Sequence, residues 1–314
     1  MLWDVTRDSV YFNRLLEPDA GRVLHGAGQS PDAFVEYTRV LGEPYTPLIY
    51  MLYTGLKGDS RPFQDKLVEM DSLFPVQLIP QIGLSMTTDG TPEEHYEHEV
   101  ASGQRESQLQ GFCDVLREFA RPAFVRIGYE FNGRWNGYEP ASYQAAFRHV
   151  VTRMRENGLD NVAAVWCFAP GGDPDYLKWY PGDDCIDWWS IDLFSPEHFA
   201  LPETKQFMED AYSRGFPVMI GESTPRYVGC TDADAAIERW FTPYRTFLEA
   251  NPHCKATGYI NWNWASYPMW SDWGDGRLAA SDGVLRWFRE LVSDPSFIHA
   301  SESGNYLKRL SRYY

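Results

Sequence analysis

The sequence predicts a single (β/α)8 barrel, and three observations carry that expectation. Eight apolar runs are spaced along the 314 residues. Stretches with helical spacing separate them. No linker, low-complexity tract or short repeat divides the chain, so residues 1–314 read as one domain. Barrels of this kind commonly occupy about 250 residues or more as one unit.

The eight runs cover residues 22–29, 47–55, 76–86, 123–133, 161–169, 187–194, 217–226 and 256–265. Their apolar halves are continuous rather than alternating, as in parallel strands covered on both faces. Between them, Leu109, Phe112, Leu116 and Phe119 fall on one stripe, as do Tyr143, Phe147, Val150 and Met154. Ile237, Trp240, Phe241, Tyr244 and Leu248 form a third stripe, and Val284, Leu285, Phe288 and Leu291 a fourth. Spacings of three and four residues put such side chains on one helix face. Pro140 suits a first helical turn and Gly158 a helix end. Strands alternating with helices give an α/β architecture. Eight units fit a closed barrel better than an open sheet. No Gly-x-Gly-x-x-Gly or Walker-type loop follows a strand, which weighs against nucleotide binding.

Composition narrows the partners. A net charge of -16 argues against a nucleic-acid backbone, which needs clustered Lys and Arg. No apolar run is long enough to span a bilayer, so no membrane partner is expected. The five cysteines form no Cys-x-x-Cys, which speaks against a zinc site or a disulfide framework. Twelve tryptophans are an unusual number; roughly half are expected in the core and a few along a cleft, where an indole face stacks well on a sugar ring. The opening residues lack the basic-then-apolar pattern of a secretory leader. Location is left between the cytoplasm and a secreted protein whose leader is gone, and the oligomeric state is left open.

In such barrels the chemistry sits at the carboxyl ends of the strands. Those ends offer, in chain order, His25 and Gln29, then Tyr53, then Gln81, then Arg126, Tyr129, Glu130, Asn132 and Trp135. Trp166, Asp192, Glu222 with Arg226, and Asn261 to Trp264 complete the ring. Glu130 and Glu222 each follow a run of apolar or small residues, where a carboxylate is costly unless partnered. Strands four and seven lie on roughly opposite sides of an eight-stranded ring, so both carboxylates can meet over its mouth. Glycoside hydrolysis requires such a pair, one carboxyl to protonate the leaving oxygen and one carboxylate opposite it. A capping ion pair is the structural alternative for either glutamate alone.

Three further stretches invite a reading. His25 precedes small residues that let a ligand approach, and it suits either a sugar hydroxyl or a hydrogen-bonded core position; Gln81 is similar. His95 and His98, with Glu94, Glu97 and Glu99, have a spacing conceivable for a metal. Without a second ligand cluster a solvated helix face is expected there, and no metal or cofactor is assigned. The aromatic run from Trp262 to Trp273 is expected to leave the last strand as a stacking platform.

The stretch Arg126-Ile-Gly-Tyr129-Glu130-Phe131-Asn132-Gly133-Arg134-Trp135 resembles the Arg followed by His-Glu-Met-Asn-Gly-x-Trp of glycoside hydrolase family 26, the mannanases and related β-glucanases and xylanases of clan A. The helix at 143–150 looks like the one that follows there. Asn161-Val162 and Val165-Trp166 look like the family's fifth strand. Tyr180-Pro-Gly-Asp-Asp184 with Asp187-Trp188 looks like its approach to strand six, and residues 217–222 look like its nucleophile strand. The resemblance spans roughly residues 120 to 265. It implies Glu130 as general acid/base, Glu222 as nucleophile, a covalent glycosyl-enzyme and retention of configuration. It also implies that Arg126 orients the nucleophile and that Trp262 or Trp264 floors the sugar site. Three departures stand out. Tyr129 replaces the family's His, Ser223-Thr224-Pro225 follows the nucleophile where Phe-Gly is usual, and strand six ends in Asp192-Leu-Phe194 rather than a Tyr. These fit a divergent family of the same clan equally well.

The expectation is therefore a retaining β-glycoside hydrolase without a cofactor, acting on a mannan-, β-glucan- or xylan-like poly- or oligosaccharide. Arg126, Tyr129, Asn132, Trp135, Trp166, Asp192, Arg226, Trp262, Trp264, His25 and Gln81 are its expected sugar-binding shell. The alternative is a barrel that binds carbohydrate without cleaving it. A metal-dependent or Schiff-base barrel would need a His/Asp ligand set or a Lys at a strand end, and no strand end has either.

Overall fold

Hydrogen bonding closes a ring of eight parallel strands in the computed structural model, which describes residues 9–88 and 91–310. The opening eight residues, read above for a leader, lie outside the described ones. The strands are β1 (Val23–Gly28), β2 (Ile49–Gly55), β3 (Ile79–Ser85), β4 (Ala123–Ile127), β5 (Val162–Phe168), β6 (Trp188–Leu193), β7 (Val218–Ser223) and β8 (Cys254–Ile260). They follow one another in chain order, and β1 pairs with both β2 and β8 to close the ring. A two-residue strand β9 (Phe297–Ile298) adds to β1 on the outside, too short to be visible as an apolar run.

The helices are α1 (Pro31–Leu41), α2 (Arg61–Leu73), α3 (Glu97–Ala101), α4 (Glu106–Phe119), α5 (Pro140–Glu156), α6 (Pro202–Ser213), α7 (Ala233–Ala236), α8 (Thr242–Ala250), α9 (Asp282–Val292) and α10 (Ser303–Leu310). Local chemistry starts several of them. Ser30 and Ser281 cap α1 and α9 by accepting from the Ala33 and Val284 amides, and Pro140 opens α5. The expected stripes are the buried faces of α4 and α5. The stripe from Ile237 to Leu248 is not one regular helix. A π-turn at Ile237–Phe241 joins α7 to α8 and lets the adjacent Trp240 and Phe241 both be buried.

Strand parity divides the core. Leu24, Ile49, Phe124, Val165, Trp188 and Met219 point into the ring and pack as one cluster. Their chain neighbours Val23, Val125, Ala164, Trp166, Trp189 and Ile220 point outward into a larger cluster shared with the helices. The amino-terminal end of the ring is sealed by chain ends. Leu16 and Tyr306 join the inner cluster, the Tyr306 hydroxyl donates to the Leu16 carbonyl, and the Trp188 indole donates to the Leu15 carbonyl. The opposite rim is left for chemistry.

Two strands are shorter than expected at that rim. β4 stops at Ile127 instead of running to 133, because Gly128 and Glu130 both take left-handed backbone, with φ of 54° and 53°. β8 stops at Ile260 instead of 265, and the chain turns into two short 3-10 segments, Trp264–Ser266 and Pro268–Trp273.

Candidate active site

The two turns after β4 aim Glu130. Gly128 is required where it stands, since a Cβ there would lie 2.7 Å from both the Met86 methyl and the Tyr143 ring. Glu130 has no such excuse. A non-glycine residue held left-handed costs about 1–3 kcal/mol and persists only where its surroundings impose it. Those surroundings are specific. The Asn136 amide donates to the carbonyls of Tyr129 and Glu130 at 2.9 and 3.0 Å. Asn132 pins the same loop to the end of β5, donating to the Ala169 and Asp173 carbonyls and accepting from the Ala169 amide. Phe131 stacks flat on Trp166 with ring centres 4.4 Å apart.

Glu222 is aimed by a different device. Plain alternation along β7 would send it outward with Ile220. Instead the β6–β7 register slips, Ile191 pairing with Ile220 and Asp192 with Glu222, so that Gly221 is the extra residue of a bulge. The bulge turns Glu222 into the ring beside Asp192. Only glycine fits at 221, because a Cβ would lie 2.6 Å from the Ser190 hydroxyl and 2.8 Å from both Arg126 Nε and Asp192 Oδ1. The Gln81 amide donates to the Gly221 carbonyl at 2.8 Å, and the Ser223 hydroxyl donates to the Gly258 carbonyl at 2.7 Å.

Arg126 is the hub. It is fully buried, donates Nη1 to Glu222 Oε1 at 2.7 Å, and donates Nη2 both to Asp192 and to Cys167 Sγ. Burial alone would strip its proton, but Asp192, Cys167 and Glu222 more than offset this and hold the guanidinium charged. Three carboxyl groups thus share a pocket with one buried guanidinium, which disfavours ionising all of them at once. Burial and then the Glu222 charge push the Glu130 pKa up to about 7, against the indole N–H of Trp135, which donates to Oε2 at 2.6 Å. Asp192 is also pushed upward, by burial first, with Arg126 opposing and the Glu222 and Glu130 charges adding.

Aromatic groups flank the carboxyls. The Tyr129 ring lies 5.2 Å from the Arg126 guanidinium carbon and 5.6 Å from the Tyr53 ring. Trp135 is 45% exposed and stands beside Glu130 as an open face for a sugar ring. Trp262 stacks on Tyr267, while Trp264 is buried and donates its indole to Thr224 Oγ1. The Arg226 guanidinium lies 4.3 Å over the Trp273 ring, which ties the loop after β7 to the loop after β8.

Of the expected residues, the structure gathers Glu130, Glu222, Arg126, Asp192, Tyr129 and Trp135 into one cluster. Gln81 and Asn132 brace it from behind rather than facing a ligand. Arg226, Trp262 and Trp264 belong to the neighbouring rim. Two expectations fail on parity. His25 points outward from β1, its ring nitrogens occupied by Tyr37 of α1 and by His299. Trp166 also points outward, against Phe131, Trp189 and Phe207. Tyr53, one of the strand-end residues but not of the expected sugar-binding shell, lies near the end of β2 with inward parity, two residues after Met51. Burial and the adjacent Glu222 charge push its phenol well up, so it stays a hydroxyl beside the carboxylate. The expected solvated face at His95 and His98 is split, since Glu97 between them is fully buried.

Comparisons with known proteins bear on the fold and on the class of enzyme. The Glycosyl hydrolase family 26 model matches residues 95–210. A β-1,3-xylanase of Vibrio sp is 28% identical over 91% of this chain and 68% of its own length. A β-1,3-xylanase of Alcaligenes sp is 27% identical over 91% of the chain and 66% of its own length. The chain thus spans about two thirds of these relatives. A mannanase structure from Bacillus subtilis superposes with a TM-score of 0.61 at 18% identity, covering 93% of this chain and 91% of that one, and so shares its fold. The chain is a glycoside hydrolase built on a (β/α)8 barrel, similar to family 26 over its middle third and to the β-1,3-xylanases over most of its length.

Proposed function

We propose that this glycoside hydrolase cleaves a β-linked polysaccharide or oligosaccharide by double displacement with retention, Glu130 acting as acid/base and Glu222 as nucleophile. The observation that carries the reading is the division of labour between the two carboxyls. Glu130 keeps a proton to near neutral pH, while Glu222 is held by the Arg126 guanidinium at 2.7 Å. A carboxyl that holds its proton beside a carboxylate gripped by a guanidinium fits the roles of acid and nucleophile.

In the first step a Glu222 oxygen attacks the anomeric carbon as Glu130 passes its proton to the departing glycosidic oxygen. The products are a free sugar alcohol and a glycosyl ester on Glu222. In the second, Glu130, now a carboxylate, takes a proton from water, and the hydroxide oxygen displaces Glu222 from the same carbon. Arg126 keeps the attacking carboxylate aligned throughout, and Trp135 offers its exposed face to the sugar.

For the substrate, the two β-1,3-xylanases aligned over 91% of the chain favour a β-1,3-xylan. The test is product release from β-1,3-xylan, β-1,4-xylan, β-mannan and mixed-linkage β-glucan, with the anomer formed first followed by NMR. Wild type is compared with Glu222→Gln. Oligosaccharides from β-1,3-xylan that appear first as the β-anomer, and only with wild type, support the reading. First appearance of the α-anomer sinks retention, and equal activity in Glu222→Gln sinks the assignment of the nucleophile.

A further inference from the structure

We infer that His95, Glu97 and His98 form a binding site for a borderline divalent cation, Zn2+ in the first instance, separate from the carboxylate pair. One donor atom from each of the three lies within 4.8 Å of the others. His95 Nδ1 and Glu97 Oε2 are 2.8 Å apart, and the His95 and His98 rings meet edge to face at 6.1 Å. Two imidazoles and a carboxylate are an established donor set for zinc, with water as the fourth ligand. Tetrahedral ligands around zinc stand about 3.3 Å apart, a consequence of bonds of about 2.0–2.2 Å. Most of the cluster is therefore near its final spacing, and exposed His98 can swing the remainder.

Glu97 supplies the independent observation. Its carboxylate is fully buried, and His95 is its only ion-pair partner among the described residues. Oε1 is already held by the Glu139 amide at 3.0 Å and the Ser142 hydroxyl at 2.9 Å, which leaves Oε2 directed at the histidines. A ligating carboxylate fixed through its other oxygen is the outer-shell pattern of protein metal sites. A buried carboxylate whose second oxygen meets only an imidazole offers a cation a ready anionic ligand.

The position gives the site a consequence. His95 packs against Gly137, where a Cβ would lie 2.2 Å from the Pro92 carbonyl oxygen and 3.3 Å from the His95 ring. Gly137 follows Trp135 and Asn136, the residues that hold Glu130. A cation here fastens α3 and the segment before it onto the loop that aims the acid/base.

The experiment uses the untagged chain, stripped with chelator and titrated with ZnCl2 by calorimetry, with Co2+ as a spectroscopic stand-in. One Zn2+ per chain is expected, together with the visible absorption of tetrahedral Co2+. His98→Ala, at an exposed position that keeps the fold, loses at least tenfold in affinity and abolishes that absorption. No binding by wild type overturns the inference, as does a loss smaller than tenfold in His98→Ala.

Discussion

The indole N–H of Trp135 donates to Glu130 Oε2 at 2.6 Å, so one side chain both lines the cleft and sets the acidity of the carboxyl beside it. The bond favours the ionised form and opposes the upward push of burial and Glu222. In Trp135→Phe that opposition is gone and the Glu130 pKa rises. On the proposed assignment Glu130 serves as general acid only while protonated, so the alkaline limb of kcat/KM, expected at its pKa of about 7 in the wild type, moves to higher pH. The shift is expected to be about half a unit or more, with KM raised by the lost indole face. A pH–rate profile checks it, and an unmoved or lowered limb counts against the assignment.

Leaving-group dependence separates the two glutamates. Glu130→Gln is expected to lose about 10²- to 10⁴-fold on the natural glycoside, where the departing alkoxide needs a proton. On an aryl glycoside whose phenolate leaves unaided, glycosylation of the enzyme survives and a burst is seen. Glu222→Gln is inactive on both. Stopped-flow release of the phenol distinguishes the variants, and circular dichroism verifies that both remain folded.

Gly221 is hemmed in by the polar groups of the site. Gly221→Ala puts a methyl within 2.8 Å of Ser190, Arg126 and Asp192, none of which can withdraw. Activity should fall at least a hundredfold while the barrel, measured by far-UV dichroism, persists. Arg126→Met is more damaging to stability, because it leaves Asp192 buried without its cation; the loss is expected at about 3–5 kcal/mol in urea unfolding.

Acid stability depends on a pair far from the cleft. Tyr37 donates to His25 Nε2 at 2.7 Å, His25 and His299 share a bond between their Nδ1 atoms at 3.0 Å, and His299 Nε2 donates to the Val292 carbonyl. Burial lowers both histidines from 6.5, so they stay neutral when folded and take up protons when unfolded. The stability this gives is complete above the unfolded value and drains away as pH falls below it, by up to about 1.4 kcal/mol per unit for each ring. Urea midpoints at pH 7.5, 6.5 and 5.5 should fall in that order. His299→Gln, which keeps an acceptor for the His25 N–H, should flatten the slope.

Much of this was legible beforehand because apolar runs and helical stripes report burial directly. All eight strands lie where continuous apolar residues stand, with Glu222 at the end of β7 and Glu130 in the turn just past β4. The failures come from parity. A run covered on both faces hides which residues point inward, so His25 and Trp166 look like rim residues although each faces the helices. Glu222 is the converse. Alternation would exclude it, and only the bulge at Gly221 restores it, with a single glycine as its trace in the sequence. Tyr53 shares the inward face of Met51 but carries no charge or motif to single it out. Glu97 looks solvated because it stands in a run of charged residues with exposed His98, whereas one of its oxygens is claimed by the start of a helix more than forty residues later.

The seal at the barrel floor has a bearing on biosynthesis. Leu16 comes to rest against Tyr306, and Leu24 of the first strand pairs with Ala256 of the eighth. A nascent chain emerging from the ribosome therefore holds β1 with one edge open until β8, more than two hundred residues later, has been made. Contacts this distant in sequence are slow to form, and an unpaired apolar edge invites intermolecular pairing in the meantime. Yield in a cell is accordingly governed by how long that edge is kept waiting, so a translational pause just before β8 would cost more folded enzyme than the same pause before β2.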